Sequence, residues 1–385
     1  MPDFELTEEQ LEIKRAVREF CEKEFTPELA LECDVKEEFP MELYKKAAKL
    51  GFTTIYIPEE YGGGGYGLLE MCLVIEEMCR ADSGLGMAIS AGTFASDLIL
   101  QYGTEEQKER YIPPLCRGEY ISAGAFTEPA RGSDLGARLD TKAIKYGDEW
   151  IINGTKTFIT NAPIANFMIV LCQTDLKVRP PHRGQSLFIV DRDTPGLEVT
   201  KLHNKMGIRA SPTGEVSFSD VRVPEDQLLG ELNKGFYYSI WFFDTSRVAV
   251  AAQAIGMAQG AFETAFKYAK EREAFGAPIV QYQGVSFKLV DMAIKLEAAR
   301  LLTYKAAWLI DQGKLDPALT AMAKTYASRA AVEITDDAIQ ILGGYGYMGE
   351  YHVERRHRDA KITEIYEGTT EIQKLTILRY LLRRM

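Results

Sequence analysis

Near its C-terminus the chain reads Arg358-Asp359-Ala360-Lys361-Ile362-Thr363-Glu364-Ile365-Tyr366-Glu367-Gly368-Thr369-Thr370-Glu371-Ile372-Gln373. Glu367 stands there as a lone carboxylate between an aromatic residue and a Gly-Thr step. A carboxylate so placed is either a general base for taking a proton from carbon or a solvated acid at a turn. Gly368 lets another molecule approach the backbone closely. A four-residue match such as Y-E-G-T does not choose between these readings, so the choice falls to the rest of the chain.

Working back from this stretch, a helical period covers 370–384, 316–342, 283–312 and Arg247 to Arg272. Four long alanine-rich segments predict an antiparallel four-helix bundle over 231–385. Gly256 and Gly260, spaced i,i+4, predict a close helix contact. Between about 121 and 230 the pattern turns to strands: Phe167 to Gln173, Ser186 to Val190 and Gly214 to Val223, separated by Pro and Gly turns. Asn153-Gly154, between two strand-like runs, predicts a hairpin turn. Residues 1–120 read as helices. Capping boxes stand at Thr7–Gln10 and Thr104–Gln107, and helices are predicted from Pro40 to Gly51, over 68–80 and over 87–102. Tyr61 to Gly67 is a loop without the G-x-G-x-x-G spacing of a dinucleotide site. The expected class is α+β, with an N-terminal helical domain, a central β-barrel-like or orthogonal β domain and a C-terminal four-helix bundle.

The 385 residues carry 45 basic and 56 acidic side chains, a net charge of -11. That balance argues against nucleic acid or an anionic membrane surface as the main partner. No apolar run is long enough to span a bilayer, and Met1 to Glu5 show no signal-peptide pattern. The six cysteines lack C-x-x-C spacing, which suits free thiols in a reducing compartment. His352 and His357 share a helical face poorly, and no H-E-x-x-H occurs, so a catalytic metal is not expected. A cytoplasmic protein without membrane insertion is the expectation.

Four further motifs precede the Glu367 stretch. Ala125-Phe126-Thr127-Glu128-Pro129-Ala130-Arg131-Gly132-Ser133-Asp134 offers hydroxyls and backbone N–H groups at the helix-to-sheet boundary. Phe158-Ile159-Thr160-Asn161 alternates an aromatic and a hydroxyl at a strand end. Arg272-Glu273-Ala274-Phe275-Gly276-Ala277-Pro278-Ile279 leads into Gln283, with an arginine fork suited to phosphate. Gln340-Ile341-Leu342-Gly343-Gly344-Tyr345-Gly346-Tyr347 places paired glycines at a helix end. Each has an ordinary structural reading when taken alone.

Together and in this order, T-E-P-x-x-G-S-D, F-I-T-N, R-x-x-F-G-x-P-I, Q-I-L-G-G-Y-G-Y and I-Y-E-G-T-T-E-I-Q resemble the acyl-CoA dehydrogenase flavoproteins over essentially the whole chain. The last stretch is most similar to the short-chain and branched-chain members. The resemblance implies non-covalent FAD between the β domain and the bundle, with a neighbouring subunit contributing. Phe126, Thr127 and Ser133 would line the flavin, with Phe158 and Thr160 beside its ring. Arg272, Phe275, Gln283, Gln340, Gly343 and Gly344 would hold the pyrophosphate and adenosine, joined by Thr369 and Glu371. Asp244, Arg247 and Ser133 would contact CoA, and Gly368, Met87, Ser90 and Ala91 the acyl end. The implied assembly is a homotetramer, a dimer of dimers, with an electron-transferring flavoprotein as electron acceptor.

The resemblance also implies the chemistry: Glu367 takes the α-proton of an acyl-CoA while the β-hydrogen leaves as hydride to flavin N5. The thioester oxygen would be held by the Glu367 N–H and a ribityl hydroxyl. Some relatives carry the base immediately before the arginine matching Arg247, but Ser246 stands there and cannot serve. Others, acting on cyclic acyl groups, carry an aspartate in the helix lining the acyl pocket; Gly86 to Gly92 contain no acid. Small residues in that stretch (Gly86, Ser90, Ala91, Gly92) predict room for a short branched or alicyclic acyl group, or else close helix packing. The absence of arginine from 83–99 weighs against a dicarboxyl substrate. Phe158 replaces the tryptophan of many relatives, and Arg131 stands where they have a small residue or an acid, facing either a CoA phosphate or solvent. A flavin oxidase on the same fold, whose base is typically aspartate, and a non-catalytic CoA-binding scaffold are the competing readings.

Overall fold

In a computed structural model, which describes residues 5–384, an α-helical N-terminal region, a β-sheet region and a bundle of long helices follow one another along the chain. The first region comprises α1 (Glu8–Glu24), α2 (Pro27–Lys36), α3 (Met41–Lys49), α4 (Leu68–Ala81), α5 (Ser83–Ser90), α6 (Asp97–Tyr102) and α7 (Glu105–Cys116). Both expected capping boxes form: Thr7 with Gln10 and Thr104 with Gln107 satisfy free amides at the starts of α1 and α7, worth about 1 kcal/mol each. The 61–67 loop is tightly turned. Its Gly63, Gly64 and Gly65 N–H groups donate to the carbonyls of Pro58, Thr54 and Ile57.

The sheet contains β1 (Ser122–Ala125), β2 (Lys142–Tyr146), β3 (Glu149–Thr160), β4 (Phe167–Gln173), β5 (Gln185–Asp191), β6 (Leu197–Leu202), β7 (Thr213–Pro224) and β8 (Leu228–Leu229). Its order is β6-β7-β3-β2-β4-β5-β8. One edge of β4 is shared: β1 runs parallel to Phe167–Val170, while β2 meets it only at Gln173. The sheet therefore forks there. Burial of all seven β4 residues follows from packing on both faces.

The bundle consists of α8 (Gly235–Glu271), α9 (Gln283–Asp311), α10 (Pro317–Leu342) and α12 (Thr370–Arg384), with the short α11 (Val353–Ala360) between the last two. Alanines and small residues bring α8 against α10 and α4. Gly256 and Gly260 do what their spacing predicts, since a Cβ at either would strike the Glu76 or Arg80 carbonyl on α4.

Two expectations need correction. Asn153-Gly154 is not a hairpin turn: it lies inside β3 at a bulge opposite Asp220. Asn153 exchanges two hydrogen bonds with Asp220 (3.0 and 2.9 Å), and Gly154 takes φ +145, against the Thr141 backbone where a Cβ has no room. The actual turn is Gly147-Asp148, between paired Tyr146 and Glu149. The expected 87–102 helix is broken, because residues 91–96 leave the helix and Ala95 takes φ +72. Of the two readings left open for Gly86 and Gly92, close packing holds: a Cβ would strike the Met78 backbone or the Tyr44 ring.

Candidate active site

The T-E-P turn leads from β1 back toward β2, and a buried ion pair holds it. Lys156 Nζ donates to Glu128 (3.1 Å) and to the Phe126 carbonyl (3.0 Å), and neither charged side chain is exposed. Glu128 also accepts hydrogen bonds from the N–H groups of Asp140 and Thr141, both at 2.8 Å, and lies 3.8 Å from the Arg131 guanidinium. Removing one partner of such a pair costs about 3–5 kcal/mol, because the other charge is left buried and uncompensated. Arg131 pairs with Asp140 rather than standing free. Asn161, at φ +65, ties the end of β3 to the α5 side by donating to the Ala91 and Ser122 carbonyls.

These ties enclose a cavity of about 260 Å³ between the sheet, α4 to α6 and α8. Phe126, Thr127, Ser133, Phe158 and Thr160 line it from the sheet side. Met87, Ser90 and Ala91 line it from α5, and Ser246, Arg247, Tyr366, Glu367 and Gly368 from the bundle. Residues from Tyr56 to Ile372 thus converge on one space. Phe94, Phe126, Phe242 and Phe243 pack edge-on or offset around it at 5.1–5.9 Å, which keeps the walls apolar.

Glu367 sits at φ +53 and is followed by Gly368 at φ +91. The first is a conformation that non-glycine residues seldom take, so the loop must be held from outside. Gln373 Nε2 donates to the carbonyls of Glu367 (3.0 Å) and Gly368 (2.9 Å), and Lys324 Nζ to those of Tyr366 (2.8 Å) and Gly368 (2.6 Å). The Glu367 carboxylate accepts a hydrogen bond from Ser246 Oγ. Burial pushes its pKa up to about 7, against the opposing pull of Ser246, Lys324 and Arg247. Arg247 pairs with Asp244 one helical turn earlier, and its Nε lies 3.4 Å from the Glu367 carbonyl. Burial raises the Asp244 pKa although Arg247 opposes it.

A second carboxyl group lines the cavity and was not anticipated. Asp97 opens α6, where the break after Ala91 turns the chain. Burial raises its pKa to about 6, and its partners are its own N–H and the Tyr56 hydroxyl. Gly86 to Gly92 hold no acid, as read from the sequence; the carboxyl group on the wall comes from beyond that stretch.

A separate hollow, lined by Tyr268, Arg272, Gly343, Gly344 and Tyr345, holds another part of the expected set. The Arg272 guanidinium lies 5.9 Å over the Tyr345 ring. Phe275, at the tip of a short hairpin, is 98% exposed, and Gln283, Gln340 and Glu371 also face outward in the single chain. Thr369 caps the start of α12. The structure therefore gathers eleven expected site residues at the main cavity (Met87, Ser90, Ala91, Phe126, Thr127, Ser133, Phe158, Thr160, Arg247, Glu367 and Gly368), keeps Asp244 buried beside Arg247, and leaves the others at the hollow, at the start of α12 or at the surface.

These residues fit FAD. Phe158, at φ +58, is 70% exposed on the cavity wall, an apolar ring positioned for a planar ligand to cover. Thr127, Ser133 and Thr160 offer hydroxyls beside it. At Gly132, Gly343 and Gly344 nothing lies within 4 Å of where a Cβ would stand, so a ligand meets open backbone.

Comparison with known proteins places the chain in a family. Three family models match consecutive parts of the chain: the acyl-CoA dehydrogenase N-terminal domain over 7–119, the middle domain over 123–221 and the C-terminal domain over 233–382. A short-chain specific acyl-CoA dehydrogenase of Clostridium acetobutylicum is 43% identical over 97% of this chain and 98% of its own. An acryloyl-CoA reductase (NADH) of Anaerotignum propionicum is 44% identical over 99% of this chain and 96% of its own. The solved butyryl-CoA dehydrogenase of Megasphaera elsdenii superposes with a TM-score of 0.95 at 41% identity, covering 99% of this chain and 100% of that one. With all three domains matched in order, this chain belongs to the acyl-CoA dehydrogenase family, FAD-dependent oxidoreductases acting on CH–CH bonds.

Proposed function

We propose that the protein oxidises a short acyl-CoA to the 2-enoyl-CoA, with Glu367 as the base that takes the α-proton. The observation that carries this reading is a half-buried carboxylate, raised by desolvation to about 7, in the cavity that also collects the flavin-side residues. An α-hydrogen of a thioester is far less acidic than a carboxylic acid, so the base must be strengthened. Raising Glu367 from 4.5 to about 7 narrows that gap by roughly 3 kcal/mol. The Glu367 N–H is assigned to the thioester oxygen, where a fixed donor stabilises developing enolate charge. FAD, when bound, supplies the acceptor for the β-hydrogen as hydride.

Phe126, Thr127, Ser133, Phe158 and Thr160 would hold the ring portion of FAD. The rest falls to Arg272, Phe275, Gln283, Gln340, Gly343, Gly344, Thr369 and Glu371. Asp244, Arg247 and Ser133 are assigned to CoA. The outward position of Phe275 and Gln283 supports a site completed by a second copy. An apolar stripe on α9, with Phe287, Val290 and Ile294 exposed, supports assembly to a homotetramer. An electron-transferring flavoprotein is the proposed acceptor. All six cysteines are free, buried thiols, which supports a cytoplasmic setting.

For the acyl group, Met87, Ser90, Ala91 and Gly368 would form the walls of a pocket for a short branched or alicyclic chain. Asp97 supports a monocarboxyl substrate, since a second carboxylate on the acyl group would meet a like charge. The test is anaerobic bleaching of the flavin with straight, branched, alicyclic and dicarboxylic acyl-CoAs. Fastest bleaching is expected with short, branched or alicyclic monocarboxylates. Preference for long straight chains would overturn the acyl assignment, and rapid oxygen consumption during turnover would favour an oxidase.

A further inference from the structure

Lys324 lies on α10 with no exposed surface, yet it is a lysine. Its Nζ donates to the Tyr366 carbonyl (2.8 Å) and the Gly368 carbonyl (2.6 Å), those of the residues on either side of Glu367. Gln373, on α12, supplies donors to the Glu367 and Gly368 carbonyls. Three successive carbonyls of a left-handed loop are thus received by two side chains from two bundle helices.

Burying an ammonium is costly, and burial lowers the Lys324 pKa to about 8, while the charges of Glu367, Glu364 and Glu371 oppose that fall and Arg247 adds to it. A methionine would fill similar space without that cost. What it would not supply is the pair of donors or the positive charge beside Glu367.

We propose that Lys324 is a positioning residue for the reaction, a clamp that holds Glu367 in its left-handed conformation and so aims both its carboxylate and its N–H into the cavity. This rests on the reading of Glu367 as the base. The clamp acts in two ways. Its hydrogen bonds offset the strain of a positive φ at a non-glycine residue. Its charge keeps the carboxylate from rising further. The groups that set Glu367 are Ser246 and Arg247 on α8, Lys324 on α10, Asp97 on α6 and the adjoining Tyr366. Of these, Lys324 and Arg247 carry the positive charge.

The test compares Lys324→Met with wild-type holoenzyme in two measurements. The first is stopped-flow flavin reduction by butyryl-CoA across pH. The second is hydrogen–deuterium exchange of the resting enzyme over residues 365–368. The expected result is retained FAD, an unchanged KM and a limiting rate lower by about a hundredfold, the size of loss expected when a reacting group is misplaced. Exchange is expected to be faster at 365–368 alone, and the kinetic midpoint of Glu367 to move upward because a positive neighbour has gone. Wild-type rate together with wild-type exchange would overturn the proposal. So would a rate loss without faster local exchange, or a loss of FAD and of protection throughout the chain. If wild-type enzyme bleaches with no acyl-CoA, the acyl-CoA reading fails, and the exchange comparison still decides the role of Lys324.

Discussion

Glu367 and Asp97 are both carboxyl groups lining one cavity, but their surroundings differ. Glu367 is met by the Ser246 hydroxyl and the charges of Lys324 and Arg247, and its loop is held by Gln373 and Lys324. Asp97 has its own N–H and the Tyr56 hydroxyl, with no cation among the groups that set it. Burial raises both, to about 7 and about 6. The first arrangement fixes the direction of a carboxylate and keeps it available as a base near neutral pH. The second leaves a carboxyl group whose main effect is on the polarity of the wall. A perturbed pKa in a cleft therefore does not identify the base by itself; the polar groups that aim it do.

The largest expected effect separates the two directly. Glu367→Gln should retain FAD and lower the rate of flavin reduction by short acyl-CoA by about 10²–10⁴-fold, the usual worth of a positioned base. Asp97→Asn should change that rate by less than about tenfold, a loss too small for a general base, and should ease reaction with dicarboxylic acyl-CoA. A collapse of activity in the Asp97 variant alone would reverse the assignment of roles.

A smaller effect tests the aiming groups. Glu367 must be ionised to accept a proton, so the reduction rate of the free enzyme should rise with pH through about 7 and fall away below it. Ser246 donates to the carboxylate and favours its ionised form. Ser246→Ala should therefore move that midpoint upward and slow the reaction at pH 7 by up to about tenfold, the worth of a modest hydrogen bond to a charged group. A pH–rate profile that moves downward would contradict the contact.

The contrast also shows what the sequence makes legible. Glu367 is visible because its neighbours stay beside it in the chain, as are the turn at Thr127 to Ser133 and the helices of the bundle. Asp97 is hidden by a helix break at 91–96 that has no proline and puts a positive φ on Ala95 rather than on a glycine. Asn153-Gly154 signals a backbone that can take positive φ, and a bulge uses that freedom as readily as a turn. Ser246 is excluded as a base from its side chain alone, but its bond to Glu367 spans 121 positions and exists only after α8 packs against the loop. Gly86 and Gly92 carry no mark that distinguishes packing from pocket space; only the Met78 backbone and the Tyr44 ring do so.

The central claim, that Glu367 removes the α-proton, is tested most directly where hydride transfer is impossible. Acetyl-CoA has α-hydrogens and no β-hydrogen, so in D2O the holoenzyme can only exchange protons with it. Mass spectrometry of the recovered thioester should show deuterium in the acetyl group with wild-type enzyme and none above the uncatalysed level with Glu367→Gln. Equal incorporation by both proteins would contradict the assignment.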